Sequence, residues 1–342
     1  MQAIRLHPAA EGETPYSPSN PAPPSALHVD TIPIPKPTAP GEILVKIKAA
    51  TVVRDTLTWP ETYGHEYITL GNDLSGTVVE TLSPDSRFKP GDEVFGMTAA
   101  DRPGTWAEYA IVQENEIARK PKQLTWEEAA AVPLSGQTAY EALFVHGGIA
   151  VPGNELRVLR DGERGTGSPD ARKVLITGAA GGVGAYIVQL ARFAGLHVTA
   201  ATSSNSRNQE FLESLGADEC IEYATFETQR DAYDLIIDCV GGETLVNAWK
   251  AVKLGGKLIT VDSSSYDFLQ EHKMQGISRE GVDARFFIVQ GGPEGLEALG
   301  RFTDLGILRA FVLKTYPLNE AAEAYGFGNG RFTGRGKVVL RV

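Results

Sequence analysis

KVLITGAAGGVGAYIVQLARFAGLHVTAAT, residues 173–202, decides the fold. Its first five residues read as a buried strand that runs straight into a glycine-rich turn, 178–184, and then into an amphipathic helix. Gly181 and Gly182 carry no side chain, so the backbone there can approach a pyrophosphate. With Val183 they open the helix N-terminus, where free N–H groups point at an anion. Gly184 lets the helix pack closely on the strand, while Ala179 replaces the first glycine of the usual G-x-G-x-x-G pattern. The competing reading is a tight strand–helix turn with no ligand. A second strand–helix unit, LHVTAAT followed by SRNQEFLESLG, favours the phosphate-binding one.

Outward from this stretch the chain keeps alternating: ECIEY, DLIIDCV, a helix near 243–253, GKLITV, ARFFIV, a helix from about 293 to 305, and a last strand, GKVVLRV. That pattern predicts a parallel sheet with helices on both faces. The N-terminal part differs. Ten of the 20 prolines fall within residues 1–40, which excludes any long helix there. Short runs bounded by Gly or Pro follow, among them EILVKIKAAT (42–51), NDLSGTVVETL, GDEVFGM and TWAEYAIV, so this region reads as a compact β unit. Thr125 and Glu128 have the spacing of a capping box. SGQTAYEALFVHGG reads as a helix stopped by Gly147, and the polar residues 152–171 as an exposed loop that shapes the pocket together with 54–70. The fold class is α/β.

At 342 residues the chain is long enough for about two domains. A net charge of −11, with its bases scattered, argues against a nucleic-acid partner. Two cysteines, Cys220 and Cys239, exclude a disulfide framework and a four-cysteine zinc site; both fall on predicted strands and read as inert buried thiols. No apolar run is long enough to cross a membrane, and the first residues lack the apolar core of a signal peptide. These features set the expectation of a cytoplasmic protein acting on a small molecule.

The end of the second strand bears on cofactor choice. An NAD enzyme places an acid there to hold the ribose 2′-hydroxyl. Here no acid appears before Glu210, and Ser203, Ser204 and Arg207 fill the stretch. Hydroxyls and a guanidinium suit a 2′-phosphate, and Tyr223, at the end of the third strand, is placed to close over it. The expected cofactor is NADPH. The alternative is that Arg207 is a solvated helix residue.

The strings KPGDEVFG (89–96), LSGTVVE (74–80), AAAVPLSGQTAYEAL (129–143), VLITGAAGGVGAYIVQLA (174–191), LGADECIEY (215–223), DCVGGET (238–244) and GGKLITV (255–261) span nearly the whole chain. In this order they resemble the medium-chain dehydrogenase/reductase superfamily, in its zinc-independent quinone oxidoreductase-like branch. The resemblance implies a GroES-like catalytic domain, 1–134 plus 311–342, a Rossmann domain with a doubly wound parallel sheet, 135–310, and an active site in the cleft. It implies that Thr138, Val240 and Gly241 lie along the nicotinamide half of the cofactor, with Arg335 or Lys337 as weaker candidates. It also implies a homodimer through the edge strand ARFFIV. Gly64-His65-Glu66 copies a zinc-enzyme signature, but the family's histidine position falls on Asn72 and its cysteine position near Val52 or Val53, so no metal is expected.

Without zinc another group must meet the substrate oxygen. Arg54, Asp55, Tyr63 and Tyr67 are the candidates, although Val53-Arg54 replaces the Asn–Pro pair common in zinc-free relatives. Tyr63 is first choice as hydrogen-bond or proton donor, its alternative being an ordinary half-buried aromatic. Arg54 could hold an enolate oxygen or simply pair with Asp55. The function expected from all this is NADPH-dependent reduction of an activated C=C bond or a quinone. A non-catalytic NADPH-binding protein and a non-redox reaction on the same scaffold are the alternatives.

Overall fold

The computed structural model describes residues 1–152, 171–330 and 334–342. Most of the stretch read above as an exposed loop, 153–170, lies outside the described residues, as do 331–333. The chain divides into two compact units. One is Met1–Leu134 with Gly291–Asp304 and Ala310–Val342; the other is Ser135–Gln290 with Leu305–Arg309.

The first unit opens with β1 (Gln2–Leu6), β2 (Leu27–Thr31), β3 (Glu42–Val52), β4 (Asp73–Thr81), β5 (Glu93–Met97), β6 (Tyr109–Gln113) and β7 (Ile117–Arg119), then α1 (Trp126–Ala130); α2 (Pro133–Tyr140) starts at its end and runs into the second unit. The second unit holds β8 (Lys173–Ile176), α3 (Gly184–Phe193), β9 (His197–Thr202), α4 (Asn205–Leu215), β10 (Glu219–Glu222), α5 (Tyr223–Phe226), β11 (Tyr233–Asp238), α6 (Gly242–Ala251), β12 (Val252–Thr260), α7 (Phe268–Met274) and β13 (Asp283–Phe286). The chain then returns to the first unit through α8 (Pro293–Asp304), β14 (Val312–Pro317), α9 (Ala321–Asn329) and β15 (Lys337–Arg341).

In the second unit the strands run in the order β10-β9-β8-β11-β12-β13, every neighbouring pair parallel. The order reverses between β8 and β11, the switch point outside which open α/β sheets bind their ligands. The apolar runs of β8 and β11 are buried because helices cover both faces. On one face Leu175, Ile236 and Leu258 pack with Leu245, Trp249 and Phe268. The predicted helix after Pro133 begins at that residue as α2 and ends as a π-helical turn, Glu141–His146. A side chain at Gly147 would meet the Leu143 carbonyl at 2.4 Å, which explains the glycine at its end.

The first unit holds a two-stranded antiparallel sheet, β1-β2, and a seven-stranded sheet in the order β14-β15-β3-β4-β5-β7, with β6 also paired to β3. All pairs of the larger sheet are antiparallel except β14 with β15. The capping box is present: Glu128 N–H donates to the Thr125 hydroxyl and Thr125 N–H to the Glu128 carboxylate. The expected domain division differs at α8, which was placed within 135–310 but belongs to the β-rich unit. Arg87 holds Glu297 at 2.8 Å and Gln123 donates to the Asp304 carbonyl at 3.1 Å. Strand–helix alternation cannot reveal such tertiary ties.

Candidate functional site

The turn at the switch point is held from three directions. Gly178 takes a left-handed φ of 61°, which a side chain would resist. A Cβ on Gly184 would lie 2.3 Å from the Gly178 carbonyl oxygen and 2.7 Å from the Ala179 Cα, so only glycine lets α3 start this close to the turn. The Gly178 N–H donates to the Tyr223 hydroxyl at 3.0 Å. Tyr223 therefore bonds to the glycine turn itself. Burial raises its phenol above the usual range, so it keeps its proton.

At the end of β9 the structure brings Ser203 and Arg207 together, the guanidinium lying 3.5 Å from the Ser203 hydroxyl. Ser204 stands at the N-cap of α4 and bonds to the Ser206 hydroxyl at 3.0 Å. Sequence reading missed one residue here. Glu222 at the end of β10 pairs in register with Thr202 at the end of β9, and its carboxylate accepts the Asn205 N–H at 2.8 Å. Only the strand order could have revealed this, because Glu222 stands 20 residues beyond Thr202 in the chain.

At the end of β11, Asp238 is wholly buried and accepts hydrogen bonds from Thr177, Thr260 and the Gly241 N–H. It ties the ends of β8, β11 and β12 to one turn. Desolvation raises its carboxyl above the usual range. Gly241, at φ 71°, would put a Cβ 2.2 Å from Asp262 Oδ2, while Val240 beside it is an exposed apolar side chain. Thr138 is buried on α2. Burial holds both thiols protonated, Cys220 being pushed up to about 11.

The β-rich unit carries the other candidates. Tyr63, expected to act as proton donor, is hydrogen-bonded within its own unit. Its hydroxyl donates to the Leu57 carbonyl and accepts the Ala22 N–H at 3.0 Å, and its ring packs on the apolar core. In this structure the phenol proton points to the Leu57 carbonyl. Replacing Tyr63 by Phe should cost about 1–3 kcal/mol, since it leaves the Ala22 N–H without its acceptor. The melting temperature should then fall while kcat/KM of the folded protein stays unchanged. A selective loss of kcat/KM would restore the catalytic role.

Arg54 and Asp55 form an exposed ion pair at 3.6 Å. Asp55 and Tyr67 both adopt left-handed backbone, φ 61° and 55°, a strain that marks the 54–70 segment. Thr56, Trp59, Thr62, Thr69, Asn72 and Arg102 line a small recess beside it. Lys337, a weaker cofactor candidate, has its ammonium buried 3.6 Å from the Asp73 carboxylate. Arg335 is half-buried just before β15.

The positions matched to zinc ligands do not fit the metal. Val52 and Val53 offer no donor atom, and the Asn72 amide is engaged with the Thr98 carbonyl at 3.1 Å. His65 is exposed, and among the described residues no three His, Cys, Asp or Glu side chains converge.

Residues 39–122 match the family described as alcohol dehydrogenase GroES-like domain, and 215–340 that described as zinc-binding dehydrogenase. The chain is 35% identical to the probable zinc-binding oxidoreductase, mitochondrial, of Arthroderma benhamiae, with 94% of each chain covered. It is 30% identical to the mouse (Mus musculus) NAD(P)H oxidoreductase RTN4IP1, mitochondrial, over 89% of this chain and 82% of that one. It is 34% identical to a 2-methylene-furan-3-one reductase of Solanum lycopersicum, over 79% of this chain and 62% of the relative. The solved quinone oxidoreductase from Coxiella burnetii has a TM-score of 0.79 at 26% identity, covering 100% of this chain and 99% of the other. The cytoplasmic expectation is overturned: two of these relatives are named mitochondrial. A missing apolar leader core speaks only to secretion, since mitochondrial addresses are amphipathic and rich in Arg and Ser.

Proposed function

The chain belongs to the medium-chain dehydrogenase/reductase superfamily, in its quinone oxidoreductase-like branch, and is an oxidoreductase of the quinone or enone reductase type with a nicotinamide cofactor; from that premise we propose that it uses NADPH, without zinc, to reduce an activated C=C bond or a quinone. The observation that carries the reading is the turn between β8 and α3, where Gly184 admits no side chain and the start of α3 faces the switch point of the parallel sheet.

The bound nicotinamide supplies a hydride. Gly181, Gly182 and Val183 would hold the pyrophosphate, and Ser203, Ser204 and Arg207 would meet the 2′-phosphate. Tyr223 braces the turn through Gly178. Exposed Val240, with Gly241 and Thr138, offers the ring an apolar resting place. Hydride addition at the β-carbon of a conjugated carbonyl would shift the alkene pair into a new bond to the carbonyl carbon and the carbonyl π pair onto oxygen, as an enolate. That oxygen needs only a positioned donor or cation, and Arg54, the exposed cation of the 54–70 segment, is proposed for the role. The α-carbon then takes a proton from solvent. An activated alkene needs less electrophilic help than an isolated ketone, which suits side chains that do not fit zinc.

A charge-assisted bond is worth roughly 1.5–3 kcal/mol. Arg207→Ala should therefore weaken NADPH binding about 10- to 100-fold and leave NADH nearly untouched. Equal losses for both cofactors would make Arg207 a helix residue only. The commitment of Tyr63 to Leu57 favours one other reading, a cofactor-binding protein without turnover. Steady oxidation of NADPH by a simple quinone or enone separates the two.

A further inference from the structure

We propose that Glu222 is a specificity-determining residue for the cofactor, set against the 2′-phosphate and in favour of a free ribose 2′-hydroxyl. The inference rests on the nicotinamide-cofactor reading above, with the ribose over the end of β9. The acid that an NAD-binding sheet carries at the end of its second strand is absent from β9, which ends at Thr202 and continues as Ser203. The sheet supplies one from the neighbouring strand instead. Glu222 lies directly beside Thr202 in the parallel register of β10 with β9. Its carboxylate reaches the first residue of α4, accepting the Asn205 N–H at 2.8 Å.

A carboxylate therefore stands at the same helix start as the Ser203–Arg207 pair. Ser204, the N-cap residue, makes no capping bond of its own, so the carboxylate does the work at the helix end that an anion would otherwise do. Asn205 is fixed on the same strand end, its Nδ2 donating to the Cys220 carbonyl at 3.0 Å, while its Oδ1 is buried without a hydrogen-bond partner. The site thus offers a 2′-phosphate one cation and one anion. A ribose hydroxyl, by contrast, finds in the anion the acceptor it needs. Arg207 and Glu222 pull cofactor choice in opposite directions, and the protein accepts NADH as well as NADPH.

Glu222→Gln is the test, because the amide oxygen can still accept the Asn205 N–H while the charge is gone. Dissociation constants for NADPH and NADH are measured on wild type, Glu222→Gln, Arg207→Ala and the double variant, with melting temperatures alongside. Loss of one exposed like charge should tighten NADPH about three- to tenfold at low salt. NADH should not gain, so the selectivity ratio moves toward NADPH, and the gain should shrink as salt is raised. An unchanged ratio, or equal weakening of both cofactors with a lower melting temperature, would reduce Glu222 to a helix cap and overturn the proposal. The two ideas fail separately. If Arg207→Ala weakens both cofactors equally while Glu222→Gln still moves the ratio, the 2′-phosphate role of Arg207 is lost and that of Glu222 stands.

Discussion

Gly184→Val is expected to abolish useful cofactor binding. The new Cβ would lie 2.3 Å from the Gly178 carbonyl oxygen and 2.7 Å from the Ala179 Cα. Both are backbone atoms, so nothing can swing aside, and the turn itself must open. Overpacking of this kind costs about 1–3 kcal/mol and occasionally more. At the upper end that is roughly 100-fold in affinity, and part of it should also appear as a lower melting temperature. Fluorescence titration with NADPH and a melting curve read the two shares. Binding close to that of wild type would mean that the turn does not hold the pyrophosphate.

Asp73→Ala should give the largest loss of stability in the β-rich unit. Asp73 is fully buried on β4. Thr51 and the Leu134 N–H donate to its carboxylate, and the Lys337 ammonium lies 3.6 Å away, itself only 9% exposed. Removing one partner of a buried ion pair typically costs about 3–5 kcal/mol. For a unit of this size that corresponds to a fall of roughly 6–20 °C in melting temperature. Lys337→Met added to Asp73→Ala should recover part of it, because the variant pair no longer buries a charge without its carboxylate. A loss below about 1 kcal/mol would place the pair with surface ion pairs and return Lys337 to consideration as a cofactor contact.

The sequence made legible whatever depends on neighbours along the chain. The strand–glycine–helix run at 173–195 is found as read, and so is the capping box at Thr125, because each is a local pattern with its own geometry. Ser203 and Arg207 meet because they lie one helical turn apart. Features that depend on what the fold brings together were hidden. Tyr63 is one of four aromatics between Trp59 and Trp106 in the sequence, and nothing local tells that its hydroxyl bonds to Leu57 and Ala22. Lys337 stands in a glycine-rich segment that suggests a ligand, yet it is claimed by a carboxylate 264 positions earlier. Glu222 went unnoticed for the opposite reason: its partner strand is adjacent in the sheet, but its relevance comes from the register with Thr202 rather than from its own string. Likewise α8 has the right period for a Rossmann helix and is drawn to the other unit by Arg87 and Gln123.

The most direct test of the central claim is to follow the label from NADPH carrying deuterium at C4 into the product of a simple enone, with a metal chelator present throughout. Turnover undiminished by chelator is expected, with deuterium at the product's β-carbon and the α-hydrogen drawn from solvent. Deuterium on a carbinol carbon, or activity that disappears with the chelator and returns with zinc, would contradict it.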